Sequence, residues 1–185
     1  MLTNHERAPS AWVRRFAPLI GQGGHVLDLA AGAGRHTRLL LDMGFRVMAV
    51  DRNVEALHAL AGARCSVREL DLESGAPKNV LGELGGGYDG IVVTNYLHRP
   101  LLPMLVQTLA PGGVVIYETF AAGNERFGRP SNPDFLLRPG ELLQAFAALT
   151  VIAFEQGELS LPRPAVIQRI AAVAGPLGRL PVPAE

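Results

Sequence analysis

Short runs of consecutive apolar residues alternate along this chain with segments of helical spacing. Five runs read as strands: residues 25–29, 46–50, 63–69, 88–94 and 114–119. Most are continuous in Val, Ile and Leu, the pattern of a strand covered on both faces; 63–69 is the faintest. Trp12, Phe16 and Ile20 share one helical face, so 12–20 reads as a short amphipathic helix stopped by the glycines at 21–24. Residues 35–43 read as a crossover helix closed by Gly44. Further helices are expected over 54–60, near 80–84 and over 100–109, the last followed by a Pro111-Gly112-Gly113 turn. Strand–helix alternation predicts a parallel sheet, and right-handed crossovers make it a doubly wound αβα sandwich.

Beyond residue 120 the pattern changes. Residues 121–138 form a long, polar segment punctuated by Gly and Pro, and such loops within compact domains are usually functional or disordered. Phe127 and Phe135 argue against simple disorder. A helix over 141–149 and two strands over 151–156 and 165–172 follow, the strands pairing as an antiparallel hairpin. The expected organisation is an N-terminal helical extension (1–24), one Rossmann-like domain (25–174) and a proline-rich tail (175–185).

Size and charge narrow the function. A chain of 185 residues and 19.7 kDa suits one domain with a real core. Its 17 basic and 17 acidic side chains leave no surplus for phosphate contacts, so nucleic acid is a disfavoured partner. Arg14, Arg15, Arg35 and Arg38 are the candidates for a local basic patch and read more simply as solvated helix residues. The single cysteine, Cys65, excludes an intramolecular disulfide and a Cys-rich metal site. Residues 1–10 are polar and charged, unlike a signal peptide, and no apolar run reaches membrane-spanning length. A cytoplasmic protein without a membrane partner is expected.

The chemistry concentrates at the carboxyl ends of the strands, where an open parallel sheet binds its ligands. Asp28, Asp51, Asp71, Asn95 and Glu118 all fall at or just past such ends. Gly32 and Gly34 allow a tight turn close to a ligand after the first strand. A dinucleotide fingerprint would require a third glycine where Thr37 stands. Asp28 would repel a pyrophosphate but attract the ammonium group of a sulfonium-bearing amino acid. Asp51 suits the two hydroxyls of a ribose, or an N-cap. Asp71 suits an adenine amine, with the backbone beside Leu72 at the ring edge, or a solvated cap.

Five segments together resemble the class I S-adenosylmethionine-dependent methyltransferases, over residues 25–172. They are Val26-Leu27-Asp28-Leu29-Ala30-Ala31-Gly32-Ala33-Gly34, Ala49-Val50-Asp51-Arg52-Asn53, Glu69-Leu70-Asp71-Leu72, Tyr88-Asp89-Gly90-Ile91-Val92-Val93 and Leu109-Ala110-Pro111-Gly112-Gly113. The chain is also loosely similar to the tellurite-resistance branch, mostly through these shared segments. The resemblance implies a seven-stranded, mostly parallel sheet in the order 3-2-1-4-5-7-6 with the last strand antiparallel. It implies S-adenosyl-L-methionine as cofactor, bound by Asp28, Ala30, Gly32, Gly34, Asp51, Arg52, Asp71, Leu72 and Asn95. In the family the position of Asp28 lies by the methionine moiety, that of Asp51 holds the ribose diol, and that of Asp71 reads the adenine amine.

Methyl transfer from a sulfonium is an in-line displacement that depends mainly on positioning and exclusion of water. A base is needed only when the nucleophile must lose a proton early. Tyr96, His98 and Glu118 are the acceptor-side candidates. Tyr96 would orient the acceptor or pack over the cofactor, His98 would serve as base or sit at the surface, and Glu118 is a carboxylate ending an apolar strand. His36 would face the cofactor carboxylate or solvent. No ligand spacing joins His36, His98 and Glu118 into a metal site. The loop 121–138 is expected to cover the acceptor pocket. Its Arg126, Arg129 and Arg138 suit an anionic acceptor or pair with Glu125, Asp134 and Glu141. A small-molecule acceptor is preferred; RNA or protein as acceptor, and a non-catalytic cofactor-binding scaffold, are the alternatives. Neither the acceptor atom nor the oligomeric state is fixed by the sequence.

Overall fold

The computed structural model describes residues 8–75, 80, 82–161 and 163–176. The expectations for residues 1–7, for part of the 80–84 helix and for the tail beyond 176 lie outside the described residues. Seven strands form one sheet: β1 (His25–Leu29), β2 (Arg46–Asp51), β3 (Cys65–Glu69), β4 (Tyr88–Thr94), β5 (Leu109–Phe120), β6 (Thr150–Leu159) and β7 (Ala165–Val173). Their order is β3-β2-β1-β4-β5-β7-β6. The first five pair in parallel, and β7 runs antiparallel to both β5 and β6. The predicted doubly wound αβα sandwich is the observed fold.

Alternation along the strands divides the core in two. Leu27, Leu29, Ile91, Val93, Val115 and Tyr117 face one way, against α3 (Leu102–Thr108) and α4 (Glu141–Ala145). Val26, Ala49, Val92, Val114 and Ile116 face the other way, against α1 (Ala11–Phe16) and α2 (Arg35–Asp42). Successive residues of a strand point to opposite faces, so a polar residue's place in this alternation fixes which layer it meets. The N-terminal helix belongs to the core. Trp12 is buried against Phe16 at a ring separation of 4.5 Å, and its Nε1 donates to the Ile170 carbonyl at 3.2 Å.

Several elements differ from expectation for local reasons. Helix α1 ends at Phe16 and tightens into a 3-10 turn over Ala17–Leu19, because Pro18 has no N–H with which to continue it. Residues 54–60 form turns and a 3-10 stretch (His58–Leu60) instead of a helix. Asp51 accepts from the Asn53 N–H and Asn53 from the Glu55 N–H, and these successive side-chain turns compete with helix formation. Pro111-Gly112-Gly113 is no turn between elements. It lies within β5, where pairing jumps from Tyr88–Leu109 to Gly90–Val114, and it also bonds the end of β7 through the Ala174 N–H to the Gly113 carbonyl at 2.8 Å. Helix α4 stops at Ala145, and the remaining residues to 149 continue as turns. Among the described residues no helix is long and apolar enough to cross a membrane.

Candidate active site

The site begins where β1 and β4 end side by side. Ala30 and Asn95, the residues just past those strands, both adopt a left-handed backbone, with φ of 56° and 55°. A left-handed non-glycine residue costs about 1 kcal/mol or more, and such strain clusters at ligand sites. The two positions flank the point where the sheet's winding reverses, the usual ligand crevice of this architecture. The turn after Ala30 runs through Gly32 to Gly34, which caps α2 with φ of 79°. A Cβ on Gly34 would stand 2.7 Å from Leu60 Cδ1 and 2.8 Å from Leu57 Cδ2. The glycine is therefore required by the turns after β2 as well as by its own conformation.

Asp51 is the hinge of this crevice. Its Oδ2 accepts from the Gly32 N–H at 2.7 Å and its Oδ1 from the Asn53 N–H at 3.0 Å, so the carboxylate ties the glycine turn to the end of β2. It borders two hollows. One, of about 650 Å³, is a surface depression lined by Gly32, Ala33, Arg38, Asn53 and Glu55 among others. The second, of about 300 Å³, is lined by Ala30, Asp51, Arg52, Leu70, Asp71, Leu72, Glu73, Tyr96 and Phe135. This smaller cavity gathers six of the residues anticipated from sequence. Its donor set fits an adenosine: carboxylates at Asp51 and Asp71 that accept from hydroxyl and amine groups, beside the apolar Leu70 and Leu72.

Tyr96 borders the same cavity with a buried hydroxyl that has no hydrogen-bond partner among the described residues. A buried unpaired hydroxyl is costly, and a ligand atom is one means of satisfying it. Burial pushes its phenol well above the ordinary value, and the Glu73 and Asp71 carboxylates add to the rise; Glu73 is near without the geometry of a formed bond. Tyr96 therefore keeps its proton across the neutral range. Its carbonyl accepts from the Tyr117 hydroxyl at 2.8 Å, which fixes the loop after β4.

Other anticipated groups turn to the α1–α2 side. Asp28 follows Val26 in the alternation, is 2% exposed and accepts from the Thr37 hydroxyl at 2.6 Å. Burial pushes its carboxyl up to about 7, partly offset by the Thr37 hydrogen bonds. His36 does not face solvent. It is 1% exposed; its Nε2 accepts from the Ser10 N–H at 3.0 Å and its Nδ1 lies 3.2 Å from the Thr94 hydroxyl. Burial, with help from Arg35, lowers its pKa to about 3, so the ring is neutral and latches the start of α1 to α2 and β4. Glu118 accepts from Arg169 at 3.1 Å, and the same guanidinium pairs with Glu155 and lies 4.6 Å over the Trp12 ring.

The acceptor-side trio is thus not brought together. Tyr96 points toward the end of β3, Glu118 toward β7 on the α1 side, and His98 lines neither hollow. Of the loop arginines, Arg126 pairs with Glu158 at 3.2 Å, and none of Arg126, Arg129 and Arg138 borders either hollow. The sequence reading missed Leu70, Glu73 and Phe135 as lining residues. Leu70 and Glu73 flank the pair Asp71-Leu72, and in the sequence Phe135 stands out only as an aromatic in a polar loop. Arg99, three residues after Tyr96, pairs with Glu141 through both carboxylate oxygens, at 2.6 and 3.0 Å. Burial opposes ionisation of Glu141, but the Arg99 guanidinium outweighs it and holds the carboxyl below its ordinary range.

A family model described as a methyltransferase domain matches residues 1–175. No curated protein matches the sequence. Three solved structures show the same fold at low identity. TehB from Haemophilus influenzae superposes with a TM-score of 0.73 at 18% identity, over 92% of this chain. The chain spans only 64% of the length of TehB. The 1,6-didemethyltoxoflavin-N1-methyltransferase of Burkholderia thailandensis, solved with 1,6-didemethyltoxoflavin and S-adenosylhomocysteine, gives 0.62 at 21% identity, over 90% of this chain and 79% of its own. The N-methyltransferase NodS from Bradyrhizobium japonicum gives 0.64 at 16% identity, over 88% and 94%.

Proposed function

The chain belongs to the class I S-adenosylmethionine-dependent methyltransferase family, and on that premise we propose that it methylates a small-molecule acceptor by in-line displacement. S-adenosyl-L-methionine supplies, when bound, a methyl group on a sulfonium that is open to attack from the side opposite the sulfur. The observation that carries the small-acceptor reading is the balance of charge: 17 basic against 17 acidic side chains leave no surplus to meet a phosphate backbone. Two structural neighbours are named as N-methyltransferases, one of them solved with 1,6-didemethyltoxoflavin bound, which supports the same reading.

In this proposal Asp51 accepts from the ribose diol while continuing to hold the Gly32 N–H, so one carboxylate couples cofactor and glycine turn. Arg52 and Tyr96 border the nucleoside. Asp71 accepts from the adenine amine and the backbone at Leu72 meets the ring. Ala30, Gly32, Gly34 and Asn95 shape the path of the methionine half, while Asp28, buried and bonded to the Thr37 hydroxyl, braces the start of α2 beside the glycine turn. Tyr96, holding its proton, acts as a donor rather than a base. A base role for Glu118 requires it to leave Arg169, which makes His98 the more available base for an acceptor that must lose a proton. Of the three arginines that suit an anionic acceptor, Arg126 is engaged by Glu158 and Arg138 helps to hold the Glu141 carboxylate ionised, which weighs against an anionic preference.

The test is to incubate the protein with methyl-labelled S-adenosylmethionine and three fractions of a cell extract: ultrafiltered small molecules, RNA and protein. Label is expected in the small-molecule fraction. Label in RNA or protein, or in none of the three, contradicts the proposal.

A further inference from the structure

Phe135 is a large aromatic residue left 47% exposed, yet its surroundings hold it in place. It ends a 3-10 turn (Pro133–Phe135) whose first N–H groups are capped by Asn132, whose Oδ1 accepts from the Asp134 N–H at 3.0 Å. Arg99 then grips the backbone on both sides of it. Its Nη1 donates to the Asp134 carbonyl at 2.6 Å and its Nη2 to the Leu136 carbonyl at 2.7 Å. Glu141 fixes that guanidinium from the other side. The base of the loop is pinned to β7: the Ala121 N–H donates to the Val166 carbonyl, and buried Asn124 accepts from the Val166 N–H while donating to the Pro130 carbonyl.

Arg99 stands three residues after Tyr96, on the same loop after β4. The ion pair therefore fixes the backbone around Phe135, which borders the same cavity as Tyr96, two residues past β4. The two rings make no ring contact with each other. The intervening space is bordered by Asp71 and Leu72, the pair matched to adenine. An exposed ring on a rigid backbone, bordering a cavity that a second aromatic residue also borders, offers a stacking surface to a planar partner. Stacking suits it because a fixed aromatic offers contact area at little further entropic cost.

We infer that Phe135 stacks on the adenine of the cofactor, and that Arg99 and Glu141 are positioning residues that hold it there. This inference rests on the reading that the smaller cavity takes the adenosine half of S-adenosylmethionine. It gives the loop 121–138 a task on the cofactor side of the site, distinct from covering an acceptor.

The experiment is titration of the whole chain with S-adenosylhomocysteine. Phe135→Ala is expected to weaken binding about tenfold, the effect of losing one base–aromatic stack. Because Phe135 is half exposed, its thermal midpoint should stay near that of the parent. Phe135→Trp should retain affinity and show fluorescence quenching on binding, while the buried Trp12 supplies a constant background. Arg99→Met should weaken binding in the parent chain yet cost nothing further in Phe135→Ala, since the residue it positions is already gone; a purely structural Arg99 would weaken both alike. Unchanged affinity in Phe135→Ala together with no quenching in Phe135→Trp overturns the inference while leaving the cofactor site standing. A parent chain that does not bind S-adenosylhomocysteine overturns both.

Discussion

Asp28 and His36 are two buried ionisable residues on the same face of the sheet, displaced in opposite senses. Asp28 titrates near 7 when folded against 3.8 ordinarily, so between those values the unfolded chain loses its proton first and stability falls as pH rises. His36 titrates near 3 when folded against 6.5 ordinarily, so the unfolded chain gains its proton first and stability falls as pH drops through that range. From about pH 4 to 6.5 the two slopes oppose each other and largely cancel. Asp28→Asn should therefore unmask a stability that climbs with pH across this window, and His36→Gln one that declines. Denaturation midpoints measured through the window check both; variants that keep the parent profile would show that neither group is buried as described. The sequence marked Asp28 as a strand-end carboxylate by its place in an apolar run. It left His36 open because the ring's partners, Ser10 and Thr94, lie 26 and 58 residues away and no local pattern announces them.

At the scale of elements, the glycine turn and the segment after β2 are one unit. Gly34→Ala must both force a left-handed alanine and push aside the ends of Leu57 and Leu60. A loss of about 1–3 kcal/mol is expected, with a lower thermal midpoint and weaker cofactor binding. An alanine variant as stable as the parent would contradict that packing. The strands were legible because buried parallel strands write themselves as apolar runs. The segment 54–60 was not, because its helical spacing of Val54 and Leu57 is overridden by the Asx turns at Asp51 and Asn53. Pro111-Gly112-Gly113 carries the residues of a turn, yet tertiary pairing with Tyr88 and Ala174 draws it into a strand.

Across the whole molecule, sheet order is readable, and so is the strand edge proposed to take the cofactor, whereas the acceptor side is not. The residues proposed to bind the cofactor lie within a few positions of β1, β2, β3 and β4 ends, so finding the strands finds them. The proposed acceptor trio depends on which face each side chain takes and on what meets it there. Glu118 shares the alternation of Val114 and Ile116, which places it on the α1 face. The partner that claims it, Arg169, lies 51 residues further on, across the β5–β7 pairing. The loop from 121 to 138 shows the same limit: its length and aromatics signal a role, while the Arg99 clamp that aims Phe135 exists only once β4 and α4 are packed together.

Asp51 holds the glycine turn through the Gly32 N–H and is proposed to couple it to the ribose. Calorimetric titration with S-adenosylhomocysteine, comparing the parent chain with Asp51→Asn, tests it most directly. The parent should bind saturably and fail to bind NAD, while the variant stays folded and loses affinity by about tenfold or more, the loss expected for charged hydrogen bonds to a buried diol. Equal affinity in the two proteins would contradict the account.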